Sequence, residues 1–316
     1  MDLTQAILLT IATAATPLLI AAIGELVVER SGVLNLGVEG MMLMGAVSGF
    51  AVAQITGSAW LGLVAAVLVG ALFAAVFGFL TLTLVTNQVA TGLALTILGV
   101  GVSALLGESF VGLPGVRLNP IYIPYLTDLP LIGRFLFGQD PIFYMSIALV
   151  IGVAWFLFRT RAGLTLRAIG DSHGSAHALG VHVVRTRYLA VLFGGACAGL
   201  AGAQLSLVYV PQWVENMTAG RGWIALALVV FASWRPWRVL VGAYLFGAYL
   251  FGAYLFGAVT IGQLHAQALG FGLPSQFLSA LPYLATIVVL VIISRNKRLT
   301  MMNTPASLGK PFVPDR

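Results

Sequence analysis

The sequence predicts an all-α, polytopic membrane bundle of about nine spans, within a range of roughly eight to ten. Three observations predict it. The 316 residues are 59% hydrophobic and only 8% charged, against about 25% charged in a soluble domain. The mean hydropathy is +1.00, more apolar surface than a water-soluble core can absorb. The apolar runs are long and unalternated, whereas a transmembrane β-barrel reads as short alternating segments.

At roughly 20 apolar residues per crossing, the spans lie near Gln5 to Val27, Gly37 to Ile55, Ala59 to Leu84, Gln88 to Leu106, Pro141 to Phe158, Tyr188 to Tyr209, Trp223 to Trp234, Val239 to Gly262 and Leu278 to Ser294. The second carries several glycines and is expected to be broken. The seventh is short and must tilt or borrow flanking residues. Met1-Asp2-Leu3-Thr4-Gln5 lacks a basic n-region, so the first run is expected to remain as a span. The transmembrane body covers residues 1–294, with a cytoplasmic loop at 159–187. Residues 295–316 form a basic cytoplasmic tail.

The net charge of +6 and pI of about 9.8 do not indicate nucleic acid. Arg159, Arg161, Arg167, Arg185 and Arg187 share one loop, and Arg235 and Arg238 share another. Arg295, Lys297, Arg298, Lys310 and Arg316 lie in the tail. With nine spans these three clusters fall on one face, the positive-inside pattern, which places the N-terminus outside. The single Cys197 lies in a Gly/Ala-rich run and reads as a small packing residue. The outer connection from Glu108 to Asp140 holds Pro114, Pro120, Pro124 and Pro130 with Tyr122 and Tyr125. It is either a docking surface for an external protein or a structural cap.

The most informative stretch runs from Glu29 to Ala46. It sets Glu29, Arg30, Asn35 and Glu39 among Gly32, Gly37, Gly40 and Gly45, at the join of two apolar runs. Polar groups at membrane depth are costly and are kept for function or internal pairing. Asn35 and the acids beside it, Glu39 among them, either line a path, hold the helix break with Arg30 as the expected partner, or anchor at the interface near a membrane end, where carboxylates reach water. Glu25 and Glu29, four residues apart, face one side. Thr86-Asn87-Gln88 interrupts an apolar region and either lines the cavity or forms a polar turn. Arg221, between Gly220 and Gly222, either pairs with Glu215 or snorkels. No nucleophile, base or metal cluster accompanies these acids, so no catalytic site is expected.

In the 159–187 loop, Asp171 or Ser172 can cap a short helix that Gly180 ends, with Ala176 and Leu179 on its apolar face. His173 and His177 are spaced i, i+4, but no further ligand completes a metal set. The pentad Gly242-Ala243-Tyr244-Leu245-Phe246 recurs from Gly247 and from Gly252. A five-residue step turns a helix by about 500°, so Tyr244, Tyr249 and Tyr254 share no face. A duplication that shifts the register of Gln263, His265 and Gln267 is expected.

The 29–46 segment closely resembles the signature of permease subunits of ATP-binding-cassette (ABC) importers for nucleosides and simple sugars. Thr218 to Ala227 resembles a second signature of that family, and Pro282-Tyr283-Leu284-Ala285-Thr286 a third. The 159–187 loop resembles its coupling helix, which docks on the ATPase; Arg167, Gly170, Asp171, Ala176, Leu179 and Gly180 are then the coupling residues. Ser172-His173-Gly174 stands where the family has Asn-Pro and a further Ala. Asn35, Gly37, Glu39, Gly40, Asn87, Gln88, Gly220, Arg221 and Gly222 are the path or signature residues. The resemblance implies a bacterial plasma-membrane subunit, nucleosides as the leading solute, and sugars or riboflavin as alternatives. It implies a cytoplasmic ATPase carrying ATP and Mg, a second homologous permease subunit and an external lipoprotein of the basic-membrane-protein type. No cofactor is expected on this chain, and no Gly-x-x-x-x-Gly-Lys-Ser/Thr run is present. An ion-coupled transporter would need carboxylates inside the spans.

Overall fold

The computed structural model describes residues 3–122, 124–125, 127, 133, 137–247 and 303–313. The described residues are helical, with one isolated bridge between Val111 and Trp213. Six helices are long and apolar enough to cross a membrane. They are α1 (Leu3–Arg30), α2 (Val38–Thr56), α3 (Ala59–Gly78), α4 (Gln88–Gly107), α5 (Pro141–Arg159) and α8 (Val183–Gln204). π-helical turns extend α3 over Phe79–Thr83 and α8 over Leu205–Tyr209. Between α5 and α8 lie two short helices, α6 (Arg161–Asp171) and α7 (His173–Ala178). The last named helix is α9 (Arg221–Phe231). Most of the second repeat copy, all of the third, Gln263, His265, Gln267, the 282–286 feature and the ninth expected span lie outside the described residues.

α1, α2 and α8 form the interior, while α3, α4 and α5 turn apolar faces outward. Lipid tails give no hydrophobic drive for helix association, so close backbone packing must supply it. Small residues make this possible where α2, α3 and α8 meet. A Cβ on Gly62 would stand 2.5 Å from the Gly49 carbonyl oxygen, and one on Gly202 would overlap the Met42 carbonyl.

Pro17 sits inside α1 and has no N–H to offer the Thr13 carbonyl. Gln204 Nε2 of α8 donates to that carbonyl at 3.2 Å, so a neighbouring helix satisfies the freed acceptor. Asp140 caps α5, accepting from the N–H groups of Ile142 and Phe143 at 2.9 and 3.0 Å.

The expected seventh span needs correction. α9 has 11 residues, about 16 Å of helix, half the ~30 Å of a bilayer core. The other half is irregular chain. Trp213, fully buried, packs against Phe50 at one end of the bundle. The chain then runs inward to Thr218 and enters α9 beside Glu39. α9 ends at the opposite, basic end, where Trp234 meets Glu29. A turn at Ser233 and Trp234, both with positive φ, reverses the chain into a helix at 236–247.

Candidate functional site: a buried carboxylate joins two sequence signatures

Glu39 lies in the first turn of α2 and is buried. Its Oε1 accepts from the Thr218 hydroxyl at 2.5 Å and the Gly220 N–H at 2.8 Å. Its Oε2 accepts from the Gly222 N–H at 2.6 Å. The carboxylate thus satisfies N–H groups at the start of α9, where the helix dipole favours negative charge. Gly220 enters this turn at φ 83°, a conformation costly for other residues. Gly222 lets the backbones touch: a Cβ there would lie 2.7 Å from Glu39 Cα. On the other flank, a Cβ on Gly40 would lie 2.7 Å from the Leu95 carbonyl oxygen. Residues 35–40 and 218–222 therefore form one unit, level with the middle of α4.

The break before α2 is held from three sides. Asn35 Oδ1 accepts from the Gly37 N–H at 2.9 Å. Gln88 Oε1 accepts from the Leu34 N–H at 2.8 Å, and Thr96 donates to the Leu36 carbonyl at 3.0 Å. Glu25 Oε1 accepts from the Asn35 N–H at 3.2 Å, while its second oxygen is buried without a partner among the described residues. Asn87 is exposed and caps α4, accepting from the Ala90 N–H at 3.0 Å.

Two expected pairings are corrected. Arg30 does not pair with a signature carboxylate. It donates to the Trp234 carbonyl at 3.0 and 3.3 Å and to the Asn303 carbonyl at 3.1 Å. Carbonyls that end a turn are unsatisfied and suit a guanidinium. Arg221 likewise donates to the carbonyls of Met217 and Thr218, at 3.2 and 3.1 Å, and lies over the Tyr209 ring; among the described residues it has no ion pair with Glu215. Glu29 accepts from Trp234 Nε1 at 2.5 Å. Trp234→Phe would leave that buried oxygen unpaired and is expected to cost about 1–3 kcal/mol, read as a lower thermal unfolding midpoint of the detergent-solubilised protein.

The loop residues form a second group at the basic end. Ser172, not Asp171, caps α7, accepting from the Ser175 N–H at 3.3 Å. Gly180 follows with φ 82°. Ala176 is buried with Ile169 and Val183, whereas Leu179 is 84% exposed. Arg167 lies over the Phe158 ring at 5.1 Å. Gly170 packs on the Arg30 carbonyl, and the exposed Asp171 accepts from the Ser307 hydroxyl through its backbone carbonyl at 3.3 Å. His173 and His177 stack edge-on against Phe312. Among the described residues, no group of three His, Cys, Asp or Glu side chains could hold a metal.

Thr218, Trp234 and Gln204 carry these ties, yet none stood out in the sequence. Thr218 lies in the second signature with no charge to mark it. Trp234 marked only a span end.

The fold and site define a polytopic helical bundle, with a broken crossing held by buried polar ties and a short helical excursion at its basic end. Residues 7–293 match the family model described as branched-chain amino acid transport system / permease component, and the chain belongs to that family. It is 44% identical over 300 residues, 88% of each chain, to a protein of Haloferax volcanii named as a candidate glucose ABC transporter permease. It is 31% identical over 289 residues, 88% of each, to a nucleoside ABC transporter permease of Lactococcus lactis. It is also 31% identical over 314 residues, 95% of this chain and 93% of the other, to a guanosine ABC transporter permease of Bacillus subtilis. No solved structure matches. The chain is an ABC importer permease, a transport component whose family works with an ATPase and a binding protein in general.

Proposed function

We propose that this chain is one of two homologous permease subunits of a bacterial plasma-membrane importer for nucleosides. The observation that carries the solute class is the alignment of relatives named for nucleoside and guanosine transport over most of both chains. The 44% identity to a candidate glucose permease favours a second reading, a simple sugar. The arginine-rich end faces the cytoplasm, where α6, α7 and Leu179 dock on an ATPase that holds ATP and Mg. A lipoprotein of the basic-membrane-protein type delivers solute at the opposite end, near 108–140.

The mechanism is alternating access. ATP binding draws the coupling loops of the two permease subunits together, and closely packed α2, α3 and α8 tilt as a block. Glu39 ties α2 to α9, so the half-length helix moves with that block and the cavity between subunits changes side. The solute is not chemically altered.

Uptake of labelled adenosine and labelled glucose, with the chain deleted and restored, tests the solute. Loss and rescue of adenosine uptake, competed by unlabelled uridine and not by glucose, is the expected result. Glucose uptake that follows the chain while adenosine uptake does not would replace nucleosides with sugar.

A further inference from the structure

The described part of the C-terminal segment, 303–313, does not stand free. The Ser307 N–H donates to the Gly170 carbonyl at 2.8 Å, and the Gly309 N–H to the Gly32 carbonyl at 3.1 Å. Ser307 is buried. Asn303 accepts from Arg30. The Phe312 ring lies between the two loop imidazoles, 5.2 Å from His173 and 5.4 Å from His177, edge-on to both. One segment therefore touches the 31–32 turn after α1, the end of α6 and the face of α7.

Arg187, at the start of α8, is the node of this contact and is buried. Its Nε donates to the Ser31 carbonyl at 3.1 Å and its Nη1 to the Lys310 carbonyl at 3.4 Å. Its Nη2 lies 3.3 Å from His173 Nδ1. A guanidinium only donates, so Nδ1 accepts and the imidazole is neutral.

We propose that residues 303–313 are a positioning strap that sets the coupling loop for its ATPase, closed by Phe312 and by neutral His173. This rests on the coupling role given to α6 and α7 above. Protonating His173 would set a second cation against Arg187. The charged groups acting on it are Arg187 from α8 and Lys310 from the strap; His177 of its own helix lies against the same Phe312 ring. Burial, then Arg187, then Lys310, hold the His173 pKa below its ordinary value. The strap is thus closed at and above the ordinary imidazole pKa of about 6.5. It opens as the pH falls through the lowered value, because only the open form accepts the proton readily.

The test uses the assembled transporter, purified through a tag on this chain and reconstituted in liposomes, with solute transported per ATP hydrolysed as the readout. Phe312→Ala should lower that ratio about fivefold, the loss of an aromatic pair, and Phe312→Tyr should restore it. The wild-type ratio should hold above about pH 6.5 and fall as the pH drops below it. In His173→Asn, whose Oδ1 still accepts from Arg187, it should stay level. An unchanged ratio in Phe312→Ala, or identical pH profiles for wild type and His173→Asn, would overturn the strap. Gly180→Val separates the two claims. If it uncouples while Phe312→Ala does not, the strap alone fails; if neither uncouples, the coupling assignment fails and takes the strap with it.

Discussion

Glu39→Ala is expected to abolish uptake and to destabilise the protein by about 3 kcal/mol or more, since each buried donor left unpaired costs about 1–3 kcal/mol. The donors are the Thr218 hydroxyl and the N–H groups of Gly220 and Gly222. Glu39→Gln separates charge from shape. Its amide oxygen can keep the two donors on one side, but its NH2 then faces the Gly222 N–H, donor against donor. An intermediate loss of about 2 kcal/mol is expected. Gly222→Ala approaches the same tie from the other side: its Cβ would lie 2.6 Å from Glu39 Oε2 and 2.7 Å from Glu39 N. Thermal unfolding in detergent, followed alongside uptake, checks all three. Wild-type midpoints and uptake in Glu39→Ala would show that residues 35–40 and 218–222 are not held through this carboxylate.

Leu179→Asp is expected to abolish transport while the complex still assembles and hydrolyses ATP. Leu179 is 84% exposed, so its change costs the fold little, whereas burying a leucine in a partner groove stabilises docking by about 2 kcal/mol. Gly180→Val acts through the backbone. Gly180 has φ 82°, and forcing a residue with a Cβ into that region costs about 1–2 kcal/mol, enough to reset the end of α7. Transport and ATP hydrolysis measured on the same proteoliposomes separate uncoupling from failed assembly. Full transport in both variants would contradict the coupling assignment.

The six long spans were legible because each is a continuous apolar run, which hydropathy reads directly. The crossing at 210–234 was only half legible. Its helical half, 221–231, is apolar after Arg221, but its other half carries Gln212, Glu215 and Asn216 and reads as loop. The irregular half is anchored by buried Trp213 and Thr218 while Gln212, Val214, Glu215 and Asn216 stay exposed; such backbone is tolerated at depth only against protein or a water-filled cavity, which the sequence does not display. Glu39 stood out as an acid beside a break. Its partners did not, because two are backbone N–H groups some 180 residues away. Arg30 is opaque for the same reason: a guanidinium suggests carboxylate partners, but its acceptors are carbonyls, which every residue carries. The tail's charge shows in the sequence, but its attachment to the loop through Ser307 and Phe312 does not.

The most direct test of the central claim, an ATP-driven permease, is solute uptake by cells expressing the chain with its partners, under two treatments. Depleting ATP while the ion gradients are clamped should stop uptake. Collapsing the proton and sodium gradients while ATP is maintained should leave it. Uptake that follows the gradients and ignores ATP would contradict the account and make this bundle an ion-coupled carrier.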